Sequence, residues 1–180
     1  MSTTLDWGDR MRHTLQFVGF GTEELALVTD TGPILLEKAS ELTSAVYDHF
    51  LVFPETRRYF VTRSGDVDEE RIERRKHSLA RWLENTIKAE GDLPMYLLAI
   101  AVVHSHPPTN RSNLGSIPSR FMIGTVSLVQ TAISNVLAKE IMDPAVATQA
   151  SIAWNKLLIA QLDILLAGYI TETPVPRTGS

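Results

Sequence analysis

The chain of 180 residues contains no cysteine, and this absence excludes several kinds of chemistry. Without a thiol there is no disulfide, no thiolate-ligated zinc, no iron–sulfur cluster and no cysteine nucleophile. A metal ion would therefore have to be bound by histidine, carboxylate, tyrosine or methionine side chains. Five histidines are available for that purpose.

An excess of positive charge is also missing. Lys and Arg number 17 against 21 Asp and Glu, which gives a formal net charge of −4. Proteins that bind nucleic acid by neutralising phosphates carry a basic excess, so we expect no nucleic-acid partner. Apolar residues make up 44% of the chain, which is typical of a folded globular domain and too high for a disordered one.

Long hydrophobic runs and targeting patterns are lacking as well. Residues 1–12 contain no apolar stretch and so do not have the pattern of a signal peptide. The longest apolar run, residues 94–103, is shorter than the roughly 20 residues that a membrane-spanning helix needs. We therefore expect a cytoplasmic protein without a membrane segment.

Motifs of common active sites do not occur. The sequence has no glycine-rich phosphate loop, no His-Glu-x-x-His pattern and no serine in a nucleophile-elbow context. Its Asp and Glu residues are scattered, and no pair of them indicates acid–base chemistry. These observations predict a protein that is not an enzyme.

Sparse proline and glycine residues divide the chain into long segments with helical spacing of apolar residues. This pattern predicts an all-α fold of about seven to eight helices. We expect a short pre-helix in residues 1–20, a folded domain in residues 21–170 and a flexible tail in residues 171–180. The predicted helix breaks include Thr31-Gly32 before Pro33, then Pro54, Gly91, Pro107-Pro108 and Asp143-Pro144.

One histidine, His104, stands at the end of an otherwise apolar helix. It follows Ile100 by four residues and Leu97 by seven, so it shares their buried stripe. A buried imidazole is costly unless its ring nitrogens are satisfied. Two interpretations remain open here: the ring caps the last carbonyls of its helix, or its neutral nitrogen is an axial ligand of a haem iron. His106 is a competing ligand, although Pro107 should leave it outside the helix.

The segment Ile100-Ala-Val-Val-His104, followed after a loop by Ile-Pro-Ser-Arg-Phe-Met-Ile-Gly at residues 117–124, resembles the proximal-histidine region of globin-coupled sensors and protoglobins. In that family an apolar pentapeptide ends at the histidine that binds the haem iron. A proline then opens the next long helix, which carries an aromatic residue, here Phe121, where the family often has tyrosine. The resemblance implies a globin-like fold with His104 as the iron ligand of haem b.

Two upstream segments resemble the same family. Ala45-Val-Tyr47-Asp-His-Phe50 is similar to the helix whose tyrosine lies over the distal face of the haem and hydrogen-bonds bound gas, although Val46 stands where an aromatic is common. Residues 72–83 are similar to the distal helix, although Trp82 also fits a core position. The pocket residues implied are Tyr47, Leu51, Phe60, Ser78, Leu79, Trp82, Phe121, Thr125 and Leu128. Arg75 is the implied partner of the haem propionates, with Arg74 and Lys76 as alternatives.

The resemblance implies a haem-binding globin that reversibly binds O2, CO or NO as a gas sensor and dimerises through its last two helices. The alternative is a cofactor-free globin-like signalling module that acts through protein–protein contacts. A haem-dependent NO dioxygenase or peroxidase-like activity would need an external source of electrons. Because 180 residues leave no room for an attached output module, we expect a single-domain sensor globin or a sensor domain alone.

Overall fold

The computed structural model describes residues 6–88, 92–106 and 115–169, and within these ranges the chain is helical apart from its connections. The eight helices described there are α1 (Trp7–Phe17), α2 (Thr22–Glu37), α3 (Ala39–Val52), α4 (Pro54–Arg57), α5 (Glu69–Lys88), α6 (Leu93–Ser105), α7 (Ser119–Glu140) and α8 (Pro144–Ala167). A single 3-10 turn, Arg58–Phe60, follows α4. The prediction of an all-α fold with an N-terminal pre-helix is confirmed. The predicted breaks at Gly91 and Pro107-Pro108 and the tail of residues 171–180 lie outside the described residues.

Aspartate side chains set the starts of three long helices. Asp68 and Asp92 each accept a hydrogen bond from the backbone N–H three residues later, at 3.0 and 3.2 Å, at the starts of α5 and α6. Asp143 accepts one from the N–H of Ala145 at 2.8 Å at the start of α8. Both α6 and α8 also carry proline in the first turn, where the missing N–H would have no helical partner. The start of α8 agrees with the break predicted at Asp143-Pro144.

The predicted helix end at Thr31-Gly32 is wrong, because α2 continues through Pro33 to Glu37. A proline inside a helix costs about 3 kcal/mol, so packing must outweigh it. Pro33 itself is exposed, whereas one continuous buried face runs past it and packs on α5 and α8. That face consists of Val28, Thr31, Gly32 and Leu35.

Helix α8 is the centre of the fold. It packs against α1, α2, α6 and α7, and its Trp154, Leu158 and Ile164 are almost completely buried. A bidentate ion pair between Arg10 and Asp163, with N–O distances of 2.7 and 2.8 Å, fastens α1 to it. Helix α3 packs on α5 and α7, while α6 packs on α8 and α1. Helices α5 and α6 are therefore left apart, and the main cavity opens between them.

Helices α7 and α8 are also long and apolar enough to cross a membrane by length and composition alone. The search of the sequence for a long unbroken apolar run did not identify these two helices, because scattered Ser, Thr, Gln and Asn residues interrupt their apolar sequences. Core helices of globular proteins meet the same test, and 56% of the apolar window of α8 is buried inside the fold. Its role as the central helix therefore accounts for the composition of α8.

We expect Gly168→Ala to destabilise the fold by about 1–3 kcal/mol, because the new methyl group would overpack the end of α8 against α6. A Cβ at Gly168 would lie 2.9 Å from the side chain of Ala101 and 3.1 Å from its backbone carbonyl carbon. Gly124, exposed in the second turn of α7, is the matched control, since a Cβ there meets no atom within 4 Å. Gly124→Ala should stabilise by about 0.5–1 kcal/mol through helix propensity. Urea unfolding measures both, and equal effects would refute the close packing at Gly168.

Candidate cofactor site

The main cavity has a volume of about 390 Å³, within the range of pockets that bind organic ligands. One wall, from α3 and α5, is called the Tyr47 wall; it consists of Tyr47, Phe50, Arg71, Arg75, Ser78, Leu79 and Trp82. The other, from α6, is called the His104 wall; it consists of Tyr96, Leu97, Ala99, Ile100, Val103 and His104. Helix α7 closes the cavity with Phe121, Met122, Thr125, Val126 and Val129. The lining is thus mostly apolar, with a few polar groups.

His104 lies in the last turn of α6 with its ring oriented by its own helix. Its Nδ1 is 2.7 Å from the carbonyl oxygen of Ile100. A carbonyl only accepts hydrogen bonds, so Nδ1 carries the proton and Nε2 has a free lone pair. The ring thus bonds to the carbonyl one turn earlier in α6 rather than to the last carbonyls of the helix, and one nitrogen stays available to a metal.

Burial keeps the His104 ring neutral. Loss of solvation lowers its pKa below the ordinary value of 6.5, and the nearby Arg75 charge lowers it further, while the bond to Ile100 acts in the opposite direction. At pH 7 the imidazole is therefore unprotonated at Nε2. This is the form in which histidine binds metals.

His106, the competing ligand, lies elsewhere. It is exposed, does not line the cavity, and its Nδ1 is 2.9 Å from the hydroxyl of Ser105. The backbone carbonyl of His104 accepts a hydrogen bond from the N–H of Ile117 at 3.0 Å, which fixes the entry to α7 against the end of α6. Of the two histidines, only His104 faces the cavity.

The phenol of Tyr47 is a preorganised donor on the opposite wall. Its ring is packed edge-on against Phe50 and Phe60, with centroid distances of 5.4 and 5.6 Å. Burial raises the pKa of this phenol to about 12, so it stays protonated at physiological pH. Its hydroxyl makes no hydrogen bond to any residue that the structure describes. The proton is therefore available to a ligand in the cavity.

Two arginines line the cavity next to this tyrosine, and neither has a carboxylate partner among the described residues. Arg75 was predicted from the sequence, whereas Arg71, one helical turn before it, was missed even though the spacing of four residues places both on one face. The alternatives Arg74 and Lys76 do not line the cavity and instead pair with glutamates of α5. Arg71 and Arg75 are thus two free cations at the edge of an apolar cavity.

The remaining predicted residues have mixed positions. Phe60, Leu79, Phe121 and Thr125 line the cavity, as do Ser78 and Trp82. Ser78 is exposed at the rim, and its hydroxyl donates to the carbonyl of Arg74 at 3.0 Å rather than into the cavity.

Leu51 and Leu128 are not among the cavity-lining residues. Leu51 is half-buried beside the cluster of Tyr47 and Phe60, and Leu128 is half-buried against the main core. Their neighbours Phe50 and Val129 line the cavity instead. A shift of one residue turns a helix by about 100°, so a small error in register replaces one lining residue by its neighbour.

Three polar lining residues, Thr56, Tyr59 and Tyr96, were missed by the sequence reasoning. The hydroxyl of Thr56 donates to the carbonyl of Phe50 at 2.8 Å, and that of Tyr59 donates to the carbonyl of Ser116 at 3.2 Å. These two groups therefore hold the backbone around the cavity. Tyr96 precedes Ile100 by four residues, and that helical spacing was the signal that could have identified it.

These features fit a haem group better than a bare metal ion. No group of three or more His, Asp or Glu residues that could hold a metal ion occurs in the described ranges, so a metal at His104 would need its other ligands from a non-protein group. A porphyrin supplies such ligands, and its carboxylates match the two free arginines. The size and apolar lining of the cavity suit a flat hydrophobic cofactor.

Comparison with known proteins identifies the family. The family model for Protoglobin matches residues 8–174, nearly the whole chain. Among solved structures, the globin domain of the Geobacter sulfurreducens globin-coupled sensor is similar, with a TM-score of 0.69, 20% identity, and coverage of 88% of this chain and 97% of that chain. At this identity the likeness shows the fold, and it confirms the predicted globin-like architecture. No curated protein matches the sequence. The chain belongs to the protoglobin family.

Proposed function

We propose that this protoglobin binds haem b between the Tyr47 wall and the His104 wall and reversibly binds O2, CO or NO, as a gas sensor or as the sensor domain of one. The observation that carries this proposal is the state of His104. Its Nδ1–H is committed to the Ile100 carbonyl, and its neutral Nε2 has no partner among the described residues. When bound, haem supplies an iron that takes one nitrogen ligand and one diatomic gas.

His104 serves as the protein ligand in this proposal. The hydrogen bond at 2.7 Å from Nδ1 fixes the ring orientation and makes Nε2 a stronger base, as outer-shell partners of metal-bound histidines do. Because burial lowers the pKa of the ring, Nε2 does not have to lose a proton first at neutral pH. Helix α6 thus contributes by holding the His104 ring neutral and in a fixed orientation.

Tyr47 serves as the donor to the gas. Its hydroxyl has a free proton at all physiological pH values, and the packed rings of Phe50 and Phe60 fix the direction of the phenol. A hydrogen bond favours a ligand that carries negative charge, so O2 should gain more than CO. The mostly apolar lining lowers the local dielectric, which strengthens such a hydrogen bond.

Arg71 and Arg75 are the proposed partners of the haem propionates. Both guanidinium groups lack a carboxylate partner among the described residues, and both line the cavity. Arg–carboxylate pairs are often bidentate, which would orient the haem as well as hold it. No carboxylate is among the described lining residues, so nothing in that lining competes for the two cations.

Titration of the reduced protein with CO tests gas binding. The absorption spectrum should change with clear isosbestic points and saturate at one CO per chain. A spectrum that does not respond to CO would contradict the gas-binding function. Among the described lining residues there is no Asp or Glu, and the proposal assigns His104 to the iron and Tyr47 to the gas, so we propose binding rather than catalysis as the activity.

We propose further that the protein is a homodimer formed through α7 and α8. Four isoleucine and valine side chains on these helices are exposed, namely Ile123, Val146, Ile152 and Ile159. Two other exposed positions of α7, Ser127 and Thr131, are small and uncharged. Exposed apolar patches of this kind are typical of interaction surfaces.

Ile152→Glu should convert a dimer into a monomer, because it places a charge among the exposed apolar side chains of α8. Leu25→Glu is the matched control: Leu25 is 55% exposed and Ile152 51% exposed, but Leu25 lies on α2. Light scattering coupled to size exclusion measures the mass of each variant. A monomeric wild type, or dissociation by Leu25→Glu alone, would refute this interface.

A further inference from the structure

A glutamine is buried in the core helix α8 at a place where an apolar residue would be expected. Gln161 is 1% exposed, and most of its neighbours on the inner face of α8 are Ala, Leu or Ile. Burial of an amide is costly unless its polar atoms are paired. Its partners therefore indicate what the amide does.

The partners of Gln161 are both on α5. Its Oε1 accepts a hydrogen bond from the indole N–H of Trp82 at 2.7 Å, and its Nε2 donates to the hydroxyl of Thr86 at 3.3 Å. All three side chains are buried. The second contact holds the amide in the orientation that presents oxygen to the indole. Gln161 thus accepts the indole hydrogen bond of Trp82 and is itself held in place by Thr86.

Trp82 is itself part of the cavity lining, on the Tyr47 wall. Indole has a single hydrogen-bond donor, and here that donor is committed to α8. The ring therefore presents carbon and no N–H to the cavity. The Tyr47 wall contains two aromatic rings that carry a hydrogen-bond donor, Tyr47 and Trp82. Of these two, only Tyr47 has a donor that is available to a ligand in the cavity.

A second tryptophan provides an internal comparison. The N–H of Trp154 donates to the hydroxyl of Thr31 at 2.9 Å, and Trp154 is fully buried in the core without lining the cavity. Both tryptophans have buried partners, but only Trp82 lines the cavity. Removing the partner of Trp154 therefore tests the effect on the core alone. Removing the partner of Trp82 tests the effect on the core and on the cavity together.

We propose that Gln161 is a positioning residue that tunes gas binding by holding the Trp82 N–H out of the cavity. The orientation of Trp82 does not depend on haem, whereas the effect on gas rests on the proposed function. Without Gln161 the buried N–H loses its acceptor and can donate to a ligand in the adjoining cavity, which Trp82 lines. The freed indole then acts as a second donor beside Tyr47.

Nuclear magnetic resonance of ¹⁵N-tryptophan protein tests the orientation. Trp7, Trp82 and Trp154 give three indole N–H signals, and Trp82→Phe assigns one of them. In Gln161→Met, which removes the acceptor while keeping side-chain volume, the Trp82 signal should shift and exchange with solvent at least tenfold faster. In Thr31→Val it should stay unchanged while the Trp154 signal responds. An unchanged Trp82 signal in Gln161→Met refutes the proposal whether or not haem is bound.

Flash photolysis and stopped flow of the gas complexes test the consequence. Gln161→Met should slow O2 dissociation by about three- to tenfold, the effect of one additional hydrogen bond, and should affect CO less. Thr31→Val should leave both rates unchanged although it removes a buried partner of the same kind. In a Trp82→Phe background Gln161→Met should have no further effect on O2. Equal rate changes in Gln161→Met and Thr31→Val, or an undiminished effect in the Trp82→Phe background, would overturn the role.

Should Gln161→Met fail to fold, the double variant with Trp82→Phe still decides the question. Replacing both members of a buried hydrogen bond by apolar groups is close to neutral, whereas replacing one leaves an unpaired group. A folded double variant then shows that the amide is needed only because of the indole. An unfolded double variant beside a folded Trp82→Phe would show that Gln161 serves the core instead, and would refute the proposal.

Discussion

Replacing His104 with alanine should remove the protein ligand of the haem iron and weaken haem retention by at least about 10–100-fold. That range is typical of losing only an outer-shell partner of a metal ligand, and loss of the ligand itself should cost no less. The side chain occupies the last turn of α6, so its truncation leaves a space rather than a break in the helix. Absorption spectra of the reduced variant should lack the bands of nitrogen-ligated haem, and millimolar imidazole should restore them.

His106→Ala is the control for this experiment. His106 is two residues away, exposed and absent from the cavity lining, so its removal should leave the spectrum and haem retention unchanged. Loss of ligation in His106→Ala with retention in His104→Ala would reverse the assignment. Loss in both would indicate that the end of α6, rather than one side chain, is required.

Tyr47→Phe should raise the O2 dissociation rate by about tenfold. One hydrogen bond contributes about 0.5–1.5 kcal/mol, and up to about 3 kcal/mol with a charged partner, while tenfold corresponds to about 1.4 kcal/mol. Phenylalanine keeps the edge-on contacts with Phe50 and Phe60, so the change removes only the hydroxyl. Because the pKa of this phenol is about 12, the difference between wild type and variant should be constant from pH 6 to about pH 10. Stopped-flow exchange of O2 for CO measures the rate.

Tyr169→Phe is the matched control for this hydroxyl deletion. The Tyr169 hydroxyl is buried and has no hydrogen-bond partner in the described part of the chain, but Tyr169 does not line the cavity. Its removal should leave the O2 dissociation rate unchanged. A rate that does not respond to Tyr47→Phe, or one that responds equally to both variants, would remove Tyr47 from its role as donor.

Local signals in the sequence predicted most of the helices. Asp92 with Pro94 and Asp143 with Pro144 combine a capping side chain with a proline in the first turn, and both start helices where expected. Pro33 is the exception. Proline starts α6 and α8, but Pro33 lies inside α2. There the packing of the opposite face of α2 on α5 and α8 compensates for the backbone hydrogen bond that proline cannot donate. That packing is long-range and leaves no local signal.

The candidate site was predictable where it depended on one side chain in a distinctive setting. His104 could be identified because an imidazole on an apolar stripe needs a partner, and Tyr47 because its surroundings resemble a family pattern. Leu51 and Leu128 show the limit of helical spacing, which does not resolve neighbouring positions without an independent register.

Gln161 shows a second limit of sequence reasoning. It is separated from Trp82 by 79 residues, and nothing in the sequence indicates that a glutamine of the last helix is paired with a tryptophan of the cavity. Such a pair becomes visible only when α5 and α8 are placed in space.

The central claim is that the cavity between α5 and α6 holds one haem with the Nε2 atom of His104 as ligand. Titration of the haem-free chain with haemin, followed by the absorption spectrum and a pyridine haemochrome assay, tests it most directly. We expect a strong Soret band that saturates at one haem per chain, and a reduced spectrum of nitrogen-ligated haem that shifts with CO. A chain that stays colourless, or that binds haemin without a saturable stoichiometry, would contradict the account and favour a cofactor-free globin-like module.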